Sequence, residues 1–277
     1  MAGAHSNHAV AQSASQLTFP ADLPRADESG RVRVSDIDMW YAVFNKGGEN
    51  PVLLIHGGLG SADNWGNQLP ALIKSHKVIV ADSRGHGRST RSERRIGYAI
   101  MTDDYVALLD RLEIDKVALV GLSDGAIIGL DMAMRYPERL SKLWAFGANY
   151  NVAGLRPDAP DVDNHPLIGP ALRKLRQDYE KLSPTPTDYD SFFKAVNEMW
   201  AKEPDYQPEQ LARITTPTVI ADGEHDEFIK RAHTEELARL VPGAKLVILP
   251  DVGHLASWQN PRLFNEEMMR FLGEGAD

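Results

Sequence analysis

The sequence predicts an α/β protein built on a mostly parallel, doubly wound sheet. Short apolar, β-branched runs alternate with helical patterns along most of the 277 residues. Those runs are hydrophobic throughout rather than alternating with polar residues, as strands covered by helices on both faces must be. A chain of this length with 43% hydrophobic residues can also bury a substantial core.

Residues 1–30 are expected to form a disordered or extended N-terminal tail. Met1 to Gln16 is small and polar, without the charged start and apolar centre of an uncleaved signal peptide. From Arg31, the segments RVRV and IDMWYAVF flank Ser35 and Asp36 and predict an antiparallel hairpin. The parallel strands follow as Val52 to Ile55, Val78 to Ala81, Val117 to Val120, Leu140 to Phe146, Thr218 to Ala221 and Lys245 to Leu249. Between them, apolar stripes predict helices over Asn64 to Lys74, Gly97 to Leu112, Asp124 to Tyr136, Lys230 to Leu240 and Pro261 to Leu272. One connection, Ala148 to Arg213, is far longer than the others. Pro166 to Leu182 and Thr187 to Lys202 within it read as amphipathic helices joined by Ser183-Pro184-Thr185-Pro186. Residues 148–213 are therefore expected to be a helical lid inserted in a core of residues 31–147 and 214–277, since structureless loops of that length are uncommon.

Composition removes several function classes. The 30 basic residues against 39 acidic ones give a net charge of −9 with no long basic run, which speaks against nucleic acid as a partner. No apolar stretch is long enough to span a bilayer. Cysteine is absent, which excludes a disulfide framework, a thiolate metal site and a cysteine nucleophile. The chain reads as soluble. A cytoplasmic location is the expectation, and a periplasmic or secreted one stays open if the tail is the remnant of a trimmed export signal. Oligomeric state is not legible.

The chemistry concentrates at Val117-Ala-Leu-Val-Gly-Leu-Ser-Asp-Gly, where Gly121, Ser123 and Gly125 form G-x-S-x-G. Chance alone supplies about 0.1 such motifs in a chain of this composition. Its setting is more specific, because a strand runs directly into it and a helical pattern starts directly after it. That is the strand-turn-helix context of a nucleophile elbow, in which glycines permit a tight turn that lifts the serine hydroxyl off the sheet.

A serine hydroxyl needs a histidine base and a carboxylate to orient that base. Both are available downstream: a strand from Thr218 leads into Asp226, and a strand from Lys245 leads into His254. Glu224 and Glu227 are alternative acids, and His225 is a weaker rival to His254. The segment Ile55-His-Gly-Gly-Leu-Gly60 lies where a backbone N–H must face a developing oxyanion. Gly58 or Leu59 would supply one donor and Asp124 the other, while His56 is expected to hold the loop. Asn149, Tyr150, Trp200 and Asp124 are the expected pocket residues. The other lid aromatics, Tyr189, Phe192, Phe193 and Tyr206, could face the pocket or pack the lid against its base.

These segments together resemble the α/β-hydrolase family over roughly Val52 to Leu272. Asp82-Ser-Arg-Gly-His-Gly-Arg-Ser89 is similar to that family's D-x-R-G-x-G-x-S turn, whose implied role is structural. Within the family, Gly121-Leu-Ser-Asp-Gly125 and Trp144-Ala-Phe-Gly-Ala-Asn149 are most similar to the valacyclovirase (biphenyl hydrolase-like) group of amino-acid ester hydrolases. In that group the residue after the nucleophile is also Asp and is implicated in holding a substrate ammonium, a role the resemblance implies for Asp124. Leu122 and Ala126 depart from the group, which has Trp and Gly there. A carboxylate in the first turn of a helix is also favourable with no ligand at all.

The expected function is therefore a cofactor-independent serine hydrolase that cleaves a small-molecule carboxylic ester or related acyl bond through a Ser123-His254-Asp226 triad. Lactones, amino-acid esters, thioesters and carbon-carbon bonds fit the same triad. The serine at the elbow excludes the aspartate nucleophile of the family's dehalogenases and epoxide hydrolases. From other classes, a non-catalytic binding protein of the same fold is one alternative. A dinucleotide fingerprint at Gly58-Leu-Gly60 is another, but Asp63 occupies its third glycine position. No metal is expected, since H-E-x-x-H is missing.

Overall fold

The computed structural model describes residues 16–157 and 164–273. Its eight strands are β1 (Glu28–Val34), β2 (Ile37–Phe44), β3 (Val52–Ile55), β4 (Val78–Ala81), β5 (Val117–Leu122), β6 (Leu140–Phe146), β7 (Thr218–Gly223) and β8 (Lys245–Leu249). They form one sheet in the order β1-β2-β4-β3-β5-β6-β7-β8. The β1/β2 hairpin is antiparallel, with Val34 opposite Ile37 across a turn in which Ser35 takes φ 47°. β2 joins β4 antiparallel, and every other neighbouring pair is parallel.

Strand periodicity divides the interior in two. Leu53, Ile55, Ile79, Leu119, Leu143 and Ile220 point to one face, while Val52, Leu54, Val80, Val120, Trp144 and Val219 point to the other. The first face is covered by α2 (Tyr98–Arg111) and α3 (Asp124–Arg135), the second by α1 (Leu69–Leu72) and α9 (Pro261–Gly273). α7 (Arg231–Leu240) precedes β8, and α8 (Ala256–Gln259) precedes α9.

The continuous helix expected over Asn64 to Lys74 does not form. A 3₁₀ turn, Ala62–Trp65, is followed by the single turn α1. Pro70 has no N–H to donate backward and can only sit in the first turn of a new helix, so the pattern breaks there. Of the expected tail, residues 1–15 lie outside the described residues. Residues from Gln16 on are extended and tied down. Thr18 N–H donates to the Trp258 carbonyl at 2.7 Å, Asn67 donates to the Thr18 carbonyl at 2.8 Å, and the Phe19 ring meets that of Trp258 edge-on.

The D-x-R-G-x-G-x-S segment ties loops together. Asp82 accepts the N–H groups of Ala62 at 2.7 Å and Arg88 at 2.6 Å, and Ser89 links Trp40 to the Asp82 carbonyl. Arg84 has no exposed surface and donates to Asp104 in a bidentate pair, with Asp36 as a second carboxylate at 2.7 Å. A buried guanidinium is tolerable only with its donors satisfied in this way.

Between β6 and β7 lie α4 (Ile168–Leu182), α5 (Tyr189–Trp200) and α6 (Pro208–Leu211). Tyr179 stacks on Phe192 at 4.8 Å, joining α4 to α5. Arg91 pairs with Asp188 and Arg95 with Glu203, fixing this insertion to the sheet domain. Among the described residues, no helix is long and apolar enough to cross a membrane.

Candidate active site

The loops following β3, β5, β6, β7 and β8 all leave the sheet at the carboxyl edge of its parallel strands, where open α/β sheets place their ligand crevices. Ser123 occupies the turn between β5 and α3 with φ 51° and ψ −115°, a backbone region costly for any residue with a Cβ. The turn is held on both sides: Ser123 N–H donates to the Phe146 carbonyl at 2.8 Å, and the Ser123 carbonyl accepts the Ala126 N–H at 2.8 Å. A Cβ on Gly125 would lie 2.1 Å from the Ile55 carbonyl oxygen, so the motif's second glycine is a packing requirement between α3 and β3.

Asp226 and His254 meet across neighbouring loops, with Nδ1–H of His254 donating to Oδ2 of Asp226 at 2.6 Å. Asp226 also accepts the N–H groups of Phe228 at 2.7 Å and Ile229 at 2.6 Å through Oδ1. Burial pushes the Asp226 carboxyl up, but the His254 charge and these donors outweigh it and hold the group at about 2. Burial pulls the imidazole of His254 down, yet Asp226, with Glu227 and Asp124 nearby, leaves it above its ordinary 6.5. Glu227 and Glu224, the alternative acids, are used elsewhere: Glu227 accepts the His254 backbone N–H at 2.8 Å and Glu224 that of Asp251 at 3.1 Å. His225 is exposed, away from this arrangement.

Ser123 and His254 line one cavity of about 460 Å³ together with Gly58, Leu59, Asp124, Asn149 and Trp200. Its remaining wall is largely apolar, with Leu155, Ile168, Leu172, Leu175, Phe228 and Trp258 prominent. Leu59 takes φ 63° in a loop closed by the Gly60 N–H on the Gly57 carbonyl. Asp124 begins α3, so its N–H belongs to the first turn and has no acceptor within the helix. His56 holds this loop. It donates Nδ1–H to the Gly57 carbonyl and accepts the Ser83 N–H at Nε2, and burial keeps its pKa below the ordinary value.

The Asp124 carboxylate is 5% exposed and accepts a hydrogen bond from Tyr98 Oη at 2.9 Å and a bifurcated one from the single Trp200 Nε1–H, at 2.9 and 3.1 Å. Burial raises its pKa to about 6 despite those donors and the His254 charge. Trp200 comes from α5, so the carboxyl beside Ser123 joins the Ser123 turn to the insertion.

One expected pocket residue is misplaced. Tyr150 does not line the cavity; its ring stacks on His233 at 4.2 Å and its N–H donates to His233 Nε2. A residue just past a strand end can turn into the core as readily as out of it. The insertion's aromatics divide by helical face: Phe193 and Trp200 line the cavity, while Tyr189 and Phe192 pack inward. Two contributors were not singled out by the sequence: Tyr98, which carried no signal, and Gly147, which lies within the Trp144 to Asn149 segment. A Cβ at Gly147 would lie 2.9 Å from His254 Cε1, so this glycine makes room for the imidazole.

The dinucleotide reading fails in the structure, since Asp63 pairs with Arg88 and Asp82 is turned toward the Ala62 and Arg88 N–H groups. Among the described residues, Glu224, His225 and Asp251 bring metal-capable atoms within 4.8 Å of one another, all of them exposed.

The family model for the alpha/beta hydrolase fold matches residues 50–202, more than half of the chain. The chain belongs to the α/β-hydrolase fold family. It is a hydrolase of that family, and this α/β-hydrolase has relatives of varied chemistry. It is 29% identical to the human serine hydrolase BPHL over 82% of this chain and 80% of that protein. It is 26% identical to the dihydrolipoyllysine-residue acetyltransferase component of the acetoin cleaving system of Pseudomonas putida, over 84% of this chain and 66% of that longer protein. Among solved structures, Est816, described as an N-acyl homoserine lactone degrading enzyme, superposes with a TM-score of 0.72 at 24% identity, covering 87% of this chain and all of that one.

Proposed function

We propose that this hydrolase cleaves a small, largely apolar carboxylic ester through an acyl-enzyme on Ser123. The observation that carries the reading is the 2.6 Å contact between His254 Nδ1 and Asp226 Oδ2 beside the cavity that Ser123 also lines. With Nδ1–H committed to Asp226, the lone pair of the neutral ring lies on Nε2, the nitrogen a general base needs. Ser123 Oγ attacks the acyl carbon and its proton passes to Nε2. The tetrahedral intermediate expels the alcohol, which takes that proton from the imidazolium. Water then repeats the sequence and releases the acid. The N–H groups of Asp124 and of Gly58 or Leu59 would receive the oxyanion. Leucine and aromatic walls favour an apolar acyl or alcohol group. The likeness to a serine hydrolase supports the same chemistry.

Ser123→Ala should lower turnover of p-nitrophenyl esters by roughly 10⁴-fold or more with the fold intact, and should abolish labelling by a fluorophosphonate. A variant with near-native rates refutes the nucleophile, and unlabelled native protein favours the non-catalytic reading.

A second reading has its own observation. The Asp124 carboxylate is buried on the cavity wall with only neutral donors, Tyr98 and Trp200, so a substrate ammonium would supply the cation it lacks. On this reading the preferred ester is an amino-acid ester.

A further inference from the structure

A second buried carboxyl lies behind the Asp226–His254 pair. Asp222, near the end of β7, is 1% exposed and its carboxyl lies against that of Asp226. Its oxygens already accept Thr234 Oγ1–H from α7 at 2.7 Å and the Gly223 N–H at 2.8 Å. Two carboxyls in hydrogen-bond contact in a buried site do not both ionise at neutral pH, because their repulsion is barely screened there. The surroundings decide which one keeps the proton. His254 and the N–H groups of Phe228 and Ile229 all address Asp226. Among the described residues, no lysine, arginine or histidine forms an ion pair with Asp222. Burial and the Asp226 charge push Asp222 well above the usual carboxylate range.

We infer that Asp222 is a positioning residue that stays a neutral carboxylic acid, with its O–H donating to Asp226 and holding that carboxylate against His254. Asp226 then has four donors: two backbone N–H groups, the imidazole Nδ1–H and the Asp222 hydroxyl. A carboxylate satisfied in this way is fixed in orientation and less basic than one with three donors. The other charged groups facing the imidazole are Glu227, from the Asp226 loop, and Asp124, from α3. Neither bonds Asp222. The inference rests on the triad reading above, and its test is chosen to separate the two.

The test compares the native chain with Asp222→Asn and Asp222→Ala through the acid limb of kcat/KM on a p-nitrophenyl ester. The His254 Nδ1–H proton resonance at low field, titrated in a Ser123→Ala background, gives a second readout. Asparagine keeps a neutral donor, so its acid limb and resonance should stay near native and its rate within about two-fold. Alanine removes the donor, so kcat should fall roughly ten-fold and the His254 titration should move up by about 0.5 or more. If Asp222→Asn moves the titration to lower pH, Asp222 is an anion and the inference is overturned. It is equally overturned if Asp222→Ala behaves as native. The resonance needs no turnover, so a chain that hydrolyses no ester would sink the triad reading while the Asp222 assignment is still decided. Should Asp222→Ala fail to fold, the direction of the Asp222→Asn shift decides alone.

Discussion

Asp124 and Asp226 are equally buried, 5% exposed each, one lining the cavity and the other behind His254, yet their carboxyls are driven apart, to about 6 and to about 2. Burial acts on both in the same direction. Donors differ in number, two for Asp124 against three, besides Asp222, for Asp226. What separates them most is the charge of the partner. Asp226 faces an imidazole that becomes a cation during the proposed reaction, and Asp124 faces a phenol and an indole. Environments that push paired acids apart in this way assign them different work. On the proposed mechanism one is held ionised to stabilise an imidazolium, and the other is held near the point of titration beside Ser123.

The largest effect expected from breaking that contrast is at Asp226. Asp226→Asn removes the charge that stabilises imidazolium and allows the amide to fix the wrong tautomer, so kcat on a p-nitrophenyl ester should fall roughly 10⁴-fold. A loss below ten-fold would remove Asp226 from the proposed triad.

A smaller effect, of opposite sign, is expected in the stability of Asp124→Asn. A carboxyl whose folded-state pKa is raised stabilises the fold fully below its unfolded value, near 3.8, and loses that contribution as pH rises through about 6. That displacement corresponds to about 3 kcal/mol. Urea denaturation should therefore show Asp124→Asn gaining most of that, about 2 kcal/mol, relative to the native chain between pH 4 and pH 7. For Asp226 the held-down pKa reverses the slope: its contribution is present above 3.8 and is lost as pH falls through about 2. If Asp124→Asn shows no gain across that window, Asp124 is not a buried anion.

The half of this contrast that lies on the sheet was legible in the sequence. Apolar runs fixed the parallel strands, and Ser123, Asp226 and His254 each follow such a run, so their arrival at one edge follows from topology. The half made at Asp124 was legible only as a list of pocket residues, Trp200 among them. Trp200 and Tyr98 lie 76 and 26 residues from Asp124, and no periodicity connects a carboxylate to donors on other elements. Asp222 was hidden for the same reason, because nothing in the sequence connects a carboxyl at the end of β7 to one four residues on in the following loop. Tyr150 shows the opposite failure: its position at a strand end suggested the cavity, but its ring finds His233. The pattern of Asn64 to Lys74 suggested one helix because the apolar stripe runs through Pro70, which only backbone hydrogen bonding could interrupt.

The smallest expected effect decides what Asp124 is for. If its carboxylate is only a tie to Trp200, an amino-acid ester and its uncharged isostere should be hydrolysed with the same kcat/KM, because both meet an anion already satisfied by neutral donors. If it receives a substrate ammonium, the amino-acid ester should be favoured by about ten-fold, the size of one partly screened charge contact. That advantage should grow as pH rises through about 6 and Asp124 ionises. Asp124→Asn should then erase the ratio between the two esters, whatever it does to the absolute rates. A ratio of one in the native chain, or one that survives Asp124→Asn, would leave the carboxylate as a structural contact between the Ser123 turn and α5. The ammonium reading would then fail, while the chemistry proposed at Ser123 would stand untouched.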